Sequence, residues 1–139
     1  MKTACENYRS YLETLTPESL DQLSDYVSDD VRFKDPFNDV QGVTAMKRVL
    51  SHMFESVADI RFTVRKFSYN DKTCFMDWNF AGVLNGKAWS FDGASVITFT
   101  LSGQVSEHID YWDAAQNFYE RLPIIGSLLA WVRRKIANH

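Results

Sequence analysis

The chain has 139 residues, enough for one domain with its own hydrophobic core, and its 45% apolar and 24% charged residues are typical of globular proteins. A net charge of −3 gives no reason to expect nucleic acid as a partner, so that class of function is excluded. Aromatic residues are frequent, at 14%, and such residues line ligand cavities as well as hydrophobic cores.

The N-terminus is charged and lacks the apolar stretch of a secretory signal, and no apolar run approaches the about 20 residues that a membrane span needs. We therefore expect a cytoplasmic protein. The two cysteines, Cys5 and Cys74, lie in different predicted elements and fit no metal spacing. We expect no metal site, and two buried free thiols are favoured over one disulfide.

The N-terminal third predicts three helices. Apolar residues at helical spacing indicate the first helix over about residues 3–15. Thr16-Pro17, an N-cap followed by proline, opens a short second helix that Asp29-Asp30 is expected to end. A strand follows at 31–34, and the 3.6-residue period returns in a third helix over about 43–54.

Long strands dominate from Ile60 onward. Alternating apolar residues predict strands that are separated by turns at Asn70-Asp71, at Asn85-Gly86 and at Ser102-Gly103. Asp92-Gly93 lies inside one of these strands and predicts a bulge that bends it. Helices followed by antiparallel strands predict an α+β fold, with helices on one face of a bent sheet.

The helical tail carries an apolar stripe followed by a basic cluster. The stripe and the cluster consist of Ile125, Leu128, Leu129, Val132 and Ile136, and of Arg133-Arg134-Lys135. Pro123 is expected to break the tail before this helix. We expect the helix to cover the mouth of a cavity or to pair with a second copy, and a membrane-surface anchor is the less favoured alternative.

Several short motifs resemble the nuclear transport factor 2-like superfamily, which includes ketosteroid isomerases and SnoaL-like polyketide cyclases. Its N-terminal pieces are Tyr11, Leu20-Asp21, Asp29-Asp30, Asp35-Pro36 and Gly42, and residues 99–105 resemble the family's last hairpin. The resemblance covers about residues 8–113. It implies one domain over 1–139, in which a cone-shaped, strongly curved mixed β-sheet packs against three N-terminal helices and ends in a helical tail at 114–139.

The resemblance also implies site residues. Asp35 falls where the isomerase keeps its proton-shuttling carboxylate, and Tyr11 falls where a tyrosine hydrogen-bonds the enolate oxygen. Ser95 takes the place of a protonated aspartic acid in the oxyanion hole. Because serine is a weaker donor than a neutral carboxylic acid, we do not expect steroid isomerisation.

The last strand adds residues of its own. His108, Asp110 and Trp112 alternate, so they share one strand face, and the alignment with the isomerase places that face inside the cone. SnoaL-like cyclases are similar in keeping an acid on the cone interior as general base, which makes Asp110 a second candidate base. A bulge before Ser106 would reverse this phase and turn both polar residues outward.

Each candidate has an ordinary structural alternative. Asp35 before proline is a common turn opener, and Tyr11 on an amphipathic helix is more often a core residue. The inner aromatic residues are expected to be mostly core, with Trp78, Phe80 and Trp112 also contacting ligand. Asp113 is expected to cap the helix that follows it.

These observations predict a domain that binds a small apolar carbonyl compound and, as an isomerase or cyclase, moves a proton on it. Asp35 or Asp110 would be the base, and Tyr11 and His108 would polarise or protonate the oxygen. No cofactor is implied. The alternative is a non-catalytic ligand-binding or protein-interaction module of the same fold. The resemblance further implies a homodimer through the outer sheet face.

Overall fold

A computed structural model of the protein describes residues 2–118 and 125–137. In the first half of the chain, two strands lie in sequence between helices, and the second half consists mainly of long strands. The elements are α1 (Lys2–Glu13), a 3₁₀ helix (Glu18–Gln22), α2 (Leu23–Tyr26), β1 (Val27–Lys34), β2 (Asp39–Gln41), α3 (Val43–Ser56), β3 (Val57–Asn70), β4 (Thr73–Leu84), β5 (Lys87–Phe99), β6 (Val105–Tyr111), α4 (Ala114–Asn117) and α5 (Ile125–Ala137).

The six strands form one sheet in the order β2-β1-β6-β5-β4-β3. β1 pairs with β6 in parallel, and the remaining neighbours are antiparallel, so the sheet is mixed as expected. The apolar face of α3, with Met46 and Leu50, and that of α1 pack against the sheet. The predicted α+β fold is therefore confirmed, with the core between these helices and the inner face of the sheet.

The expectation that Asp29-Asp30 ends the second helix is wrong. That helix ends at Tyr26, and both aspartates lie exposed inside β1. The pairing of β1 with β6 shifts register between Val27 and Arg32, which spans these two residues. Their charged side chains are tolerated there because this stretch of the strand is irregular and faces solvent.

The bulge predicted at Asp92-Gly93 is also wrong. β4 and β5 stay in register through this point, where Trp78 pairs with Gly93. A Cβ atom added to Gly93 would lie 2.4 Å from the Trp78 indole, so glycine is present to make room for that ring. The pairing instead shifts between β3 and β4, at Ala58/Arg61 and at Val64/Lys66.

The predicted hairpin turn at Asn85-Gly86 and the predicted helix cap at Asp113 are both confirmed. Asn85 and Gly86 join β4 to β5 with φ angles of 52° and 76°, as a two-residue hairpin turn requires. Asp113 caps α4, where its carboxylate accepts a hydrogen bond from the backbone N–H of Gln116 at 3.0 Å.

The prediction of two free thiols is wrong, because Cys5 and Cys74 form a disulfide. Cys5 lies on the inner face of α1 and Cys74 on the inner face of β4, and both side chains are fully buried. Their Cα atoms are 6.0 Å apart, a separation that suits the bond. Since 69 residues separate the two cysteines, local pattern carried no sign of this pairing.

The tail helix α5 turns large apolar side chains to solvent. Leu128, Trp131, Val132 and Ile136 are 60%, 53%, 39% and 68% exposed. Pro123 lies outside the described residues, and so do the side chains of Ile125 and Leu129. Among the described helices, none has the length and apolar character to cross a membrane.

Candidate functional site

A cavity of about 580 Å³ lies between the inner face of the sheet and α3. This volume falls in the range of small-molecule sites, and most of the lining side chains are apolar or aromatic. The buried lining residues, such as Trp78, Phe91 and His108, form the floor. The exposed ones, such as Phe37 and Arg48, form the rim where the cavity opens to solvent.

Five side chains from four elements form a hydrogen-bonded chain at the floor. The Tyr8 hydroxyl lies 2.7 Å from His108 Nδ1, and His108 Nε2 lies 2.7 Å from Asp110 Oδ1. Ser95 donates to the same carboxylate oxygen at 2.5 Å, and Trp78 Nε1 donates to Ser95 Oγ at 2.8 Å. We call this chain of five residues the floor cluster.

The proton positions in the floor cluster follow from which groups can only donate. The Trp78 indole has a single N–H, so Ser95 must accept from it and use its own proton toward Asp110. With Asp110 ionised and the imidazole neutral, His108 Nε2–H donates to Asp110 and Nδ1 accepts from Tyr8. Burial raises the pKa of the Tyr8 hydroxyl well above its usual range, with the charge of Asp110 as a further cause, so the phenol keeps its proton.

Both members of the His108–Asp110 pair line the cavity, and Asp110 is the more exposed of the two. Its side chain is 20% exposed, whereas that of His108 is 5% exposed. Oδ1 carries the bonds from His108 and Ser95, and no described residue donates to Oδ2. The carboxylate of Asp110 is therefore held in place through Oδ1 at the wall of a largely apolar cavity, and its Oδ2 has no protein donor among the described residues.

β6 turns His108 and Asp110 toward the inside of the sheet, which is the orientation that the sequence favoured. His108 is 4% exposed, whereas Tyr111, three residues later in the same strand, is 57% exposed on the outer face. The parallel pairing Phe33↔His108 also sets the histidine against an inner aromatic residue of β1. The pairing of β5 with β6 does shift register between Val105 and Glu107, at Ser106, but this irregularity does not turn His108 and Asp110 outward.

Asp35 lies in the cavity lining, but its carboxylate is used by its own turn. Oδ1 accepts from the backbone N–H of Phe37 at 2.8 Å, from that of Asn38 at 2.7 Å and from the Asn38 side chain at 3.0 Å. Oδ2 has a longer bond from that same amide, at 3.3 Å. The structural alternative, a side chain that closes the turn after β1, accounts for these contacts.

Tyr11 is placed away from the cavity, which corrects the expected contact with the ligand oxygen. Its hydroxyl donates to the Ser19 carbonyl at 2.8 Å, and its ring stacks on Tyr26 at 4.1 Å. Burial, with Tyr26 and nearby aspartates, raises the pKa of Tyr11 to about 12. The side chain lies on the face of α1 toward α2, whereas the face toward β6 carries Tyr8.

Of the other residues predicted to contact a ligand, three line the cavity and Ser95 lies behind its wall. Trp78, Phe80 and Trp112 line the cavity, and Trp112 stacks on Phe91 with ring centroids 4.3 Å apart. Ser95 is 1% exposed and lies behind the lining, where it connects Trp78 to Asp110. Its hydroxyl proton is therefore directed at Asp110 and away from any ligand.

Sequence reasoning missed Tyr8, whose hydroxyl is bonded to His108. The available signal was the pair of tyrosines three residues apart on an amphipathic helix, of which the resemblance singled out Tyr11. Within the described part of the chain, no group of three His, Cys, Asp or Glu side chains is placed to hold a metal ion.

Comparisons with known proteins agree with this architecture. The model of the SnoaL-like domain family matches residues 8–108. No curated protein matches the chain significantly.

Several solved structures share the fold at low sequence identity. An NTF2-like protein of unknown function from Burkholderia pseudomallei K96243 is 17% identical, with a TM-score of 0.74 over 83% of this chain and 94% of that one. An LEH-like epoxide hydrolase from M. tuberculosis is 16% identical, with a TM-score of 0.70 over 94% and 91% of the two chains. A structure from Jannaschia sp. CCS1, assigned as a SnoaL-like polyketide cyclase, is 13% identical, with a TM-score of 0.70 over 78% and 85%.

The family match spans most of the chain, from the helix that carries Tyr8 to the histidine of the floor cluster. The three solved structures match 83%, 94% and 78% of this chain. The chain therefore belongs to the SnoaL-like domain family, and it shares its fold with a solved NTF2-like protein.

Proposed function

We propose that this chain binds a small apolar carbonyl compound in the cavity and moves a proton within it, with Asp110 as the base. One observation carries the proposal: Asp110 lines a largely apolar cavity, His108 and Ser95 both bond its Oδ1, and no described residue donates to its Oδ2. A carboxylate positioned in this way meets the geometric need of general base catalysis.

The proposed step balances within the substrate and one carboxyl group. Asp110 Oδ2 takes a proton from the carbon next to the carbonyl, and the electrons of that C–H bond form the enolate. The protonated carboxyl then returns the proton to another carbon, which is an isomerisation. In a cyclisation, the enolate carbon attacks a second carbonyl of the same molecule, and the proton goes to the new alkoxide.

The floor cluster also narrows the substrate class. The hydroxyls of Tyr8 and Ser95 both donate inside the cluster, so neither is free to stabilise an enolate oxygen. The carbon acid must then be activated by its own conjugation, as in a 1,3-dicarbonyl compound or an aryl-conjugated ketone. The resemblance in fold to a structure assigned as a SnoaL-like polyketide cyclase agrees with such a substrate.

The test is deuterium exchange into 2-tetralone, a bicyclic ketone whose C1 protons are activated by the fused ring. Proton NMR in D₂O measures the exchange rate with wild-type protein, with Asp110→Asn and with buffer alone. We expect the wild type to accelerate exchange and Asp110→Asn to lose that acceleration. An Asp110→Asn rate equal to the wild-type rate would remove Asp110 as the base.

A non-catalytic ligand-binding module is the second candidate. The observation that favours it is that Ser95 and Tyr8 are already satisfied, which leaves the cavity mostly apolar. A carrier would bind 2-tetralone without accelerating exchange, and its binding would change little with pH. Isothermal titration of 2-tetralone across pH 5–9, beside the exchange assay, separates the two candidates.

A homodimer and a cytoplasmic location stay predictions. The outer sheet face offers the dimer a cross-strand row of Phe75, Val96 and Ile109, with Tyr111 beside it. Sedimentation velocity of wild type and Ile109→Lys tests this interface. The Cys5–Cys74 disulfide argues against the predicted cytoplasmic location, since disulfides persist mainly in oxidising compartments.

A further inference from the structure

Two cation-forming side chains lie at the rim of the cavity. Arg48 and His52 are one helical turn apart on α3, so they point to the same side of that helix. Both line the cavity and both are exposed, which places them where it opens to solvent. Val49 and Met53, on the same stripe of α3, continue the lining inward as apolar surface.

The charged groups of the cavity wall differ in how they are satisfied. Glu13 accepts from the backbone N–H of Val64 at 2.9 Å and lies 3.8 Å from Arg9 Nε. Asp35 is held by its own turn. Across the described residues, Arg48 and His52 take part in no hydrogen bond or ion pair. Glu13 and Asp35 are thus bonded within the protein, whereas Arg48 and His52 at the rim, like Oδ2 of Asp110 at the floor, are left for a ligand.

The contrast with the neighbouring position on α3 supports this distinction. Lys47, next to Arg48 in sequence, points away from the cavity and binds Asp21 at 2.7 Å. Arg32 and Arg65, on the sheet, are each paired with two carboxylates. Arg48 therefore differs from these paired cations, because it is directed at the cavity rim and has no acidic partner there.

We propose that Arg48 and His52 form an anion subsite, so that the substrate is an apolar carbonyl compound carrying a carboxylate or phosphate group. The anionic group would lie at the rim, and the apolar carbonyl part would extend inward to Asp110. The placement of the substrate's carbonyl end near Asp110 rests on the proposed function. The placement of its anionic group rests only on Arg48 and His52 of α3. A guanidinium binds carboxylate and phosphate oxygens through two parallel N–H bonds, and the imidazole adds a further donor.

The position at the rim has a physical advantage for such a ligand. A charge buried at the floor would lose its hydration, while a charge at the rim keeps part of it and still meets Arg48. Burial of the apolar body then fixes which end enters the cavity. The subsite would therefore orient an amphiphilic substrate with its carbonyl toward Asp110.

The experiment compares two fluorescent probes that share one skeleton. 1-Anilinonaphthalene-8-sulfonate carries an anionic group, and N-phenyl-1-naphthylamine lacks it. We expect the double variant Arg48→Gln/His52→Gln to bind the sulfonate about tenfold more weakly and the neutral amine with unchanged Kd, since a hydrogen bond to a charged group is worth about a factor of ten. Lys47→Gln, which removes one positive charge from the same helix, should leave both Kd values unchanged.

Two additions make the result specific. Val49→Trp, which fills the cavity beside Arg48, should weaken both probes and so show that they occupy it. Displacement of the sulfonate by decanoate, decyl phosphate and decanol then separates the two anion sources. A loss of decanoate or decyl phosphate affinity in the double variant, with decanol unchanged, supports the subsite and identifies the group.

The failures are distinguishable. Equal loss of both probes in the double variant, or no loss of either, overturns the anion subsite and leaves the role of Asp110 to the exchange assay. If neither probe binds the wild type in a way that Val49→Trp weakens, the cavity does not take apolar ligands. That result overturns the subsite and the proposed function together.

Discussion

The two aspartates of the cavity wall are held in opposite ways. Asp35 is fixed by backbone and side-chain donors within three residues of it. Asp110 is fixed by His108 and Ser95, which in turn depend on Tyr8, 100 residues before His108, and on Trp78. A carboxylate that closes a local turn contributes to the backbone conformation there, whereas one assembled from several elements can be aimed at a ligand.

Neutralising each carboxylate in turn tests whether Asp35 and Asp110 have these different roles. Asp110→Asn should lower 2-tetralone exchange by about 10²- to 10⁴-fold, the usual contribution of a positioned base. Asp35→Asn should change that rate by less than about fivefold, because the base is still in place. NMR exchange rates at equal protein concentration measure both. A larger effect at Asp35 than at Asp110 would reverse the assignment of the base.

The disulfide gives the second largest expected effect, because it ties the helix that carries Tyr8 to the sheet. Cys5→Ala/Cys74→Ala should lower the free energy of unfolding by about 2–4 kcal/mol, since a long loop is no longer closed in the unfolded chain. Urea unfolding of the variant and of the wild type, without reductant, measures the difference. An equal midpoint and slope for the two proteins would argue that the cysteines are not bonded in solution.

How much of this could be predicted follows from the range of the contacts. The hairpin at Asn85-Gly86 and the cap at Asp113 depend on neighbours in sequence, so their residue types predicted them. The Cys5–Cys74 bond depends on residues 69 apart, which no local pattern relates. Gly93 was misjudged for the same reason, because the ring that requires it comes from the adjacent strand.

The candidate site follows the same rule. Alternation along β6 predicted the inward face of His108 and Asp110, since both residues belong to one strand. The tyrosine beside His108 could not be chosen between Tyr8 and Tyr11 without the rotation of α1. Resemblance alone favoured Tyr11, whose hydroxyl is used by the Ser19 carbonyl.

Gly93→Ala tests whether the position of Asp110 depends on Trp78. Gly93 lies on β5 opposite Trp78 of β4, whose indole is hydrogen-bonded to Ser95 behind Asp110. The added methyl would lie 2.4 Å from the Trp78 indole, so the ring or β5 must shift. We expect a loss of about 1–3 kcal/mol in the free energy of unfolding, as in overpacked cores. Gly86→Ala is the matched control for a new methyl group, because nothing lies within 4 Å of its added Cβ.

That control needs one correction for backbone strain. Gly86 has a φ of 76°, so alanine there is strained even without a steric clash. The two variants are therefore distinguished by near-ultraviolet circular dichroism, which follows the packing of Trp78. A changed spectrum in Gly93→Ala and an unchanged one in Gly86→Ala is expected. Identical spectra in both variants would mean that the indole does not depend on the space at Gly93.

The smallest expected effect is the pH dependence that Tyr8 gives to stability. Its folded-state pKa is raised well above the usual value by burial, and that of Tyr11 is raised to about 12. Below about pH 10 both tyrosines keep their protons in the folded and unfolded chain, so they add no pH dependence. Above it, the unfolded chain releases protons that the folded chain retains. The free energy of unfolding then falls as pH rises, by up to about 1.4 kcal/mol per pH unit for each tyrosine.

Tyr8→Phe isolates the contribution of the floor cluster. At neutral pH the variant should lose about 1 kcal/mol, because the bond to His108 Nδ1 is gone. Between pH 10 and 11 its stability should fall less steeply than that of the wild type, since one group that retains its proton on folding has been removed. Urea unfolding at pH 8, 10 and 11 measures both, with Tyr69→Phe, 44% exposed on the surface, as the control. Parallel slopes in Tyr8→Phe and the wild type would mean that Tyr8 reaches solvent, and Asp110 would then lose the buried hydrogen-bonded support that distinguishes it from Asp35.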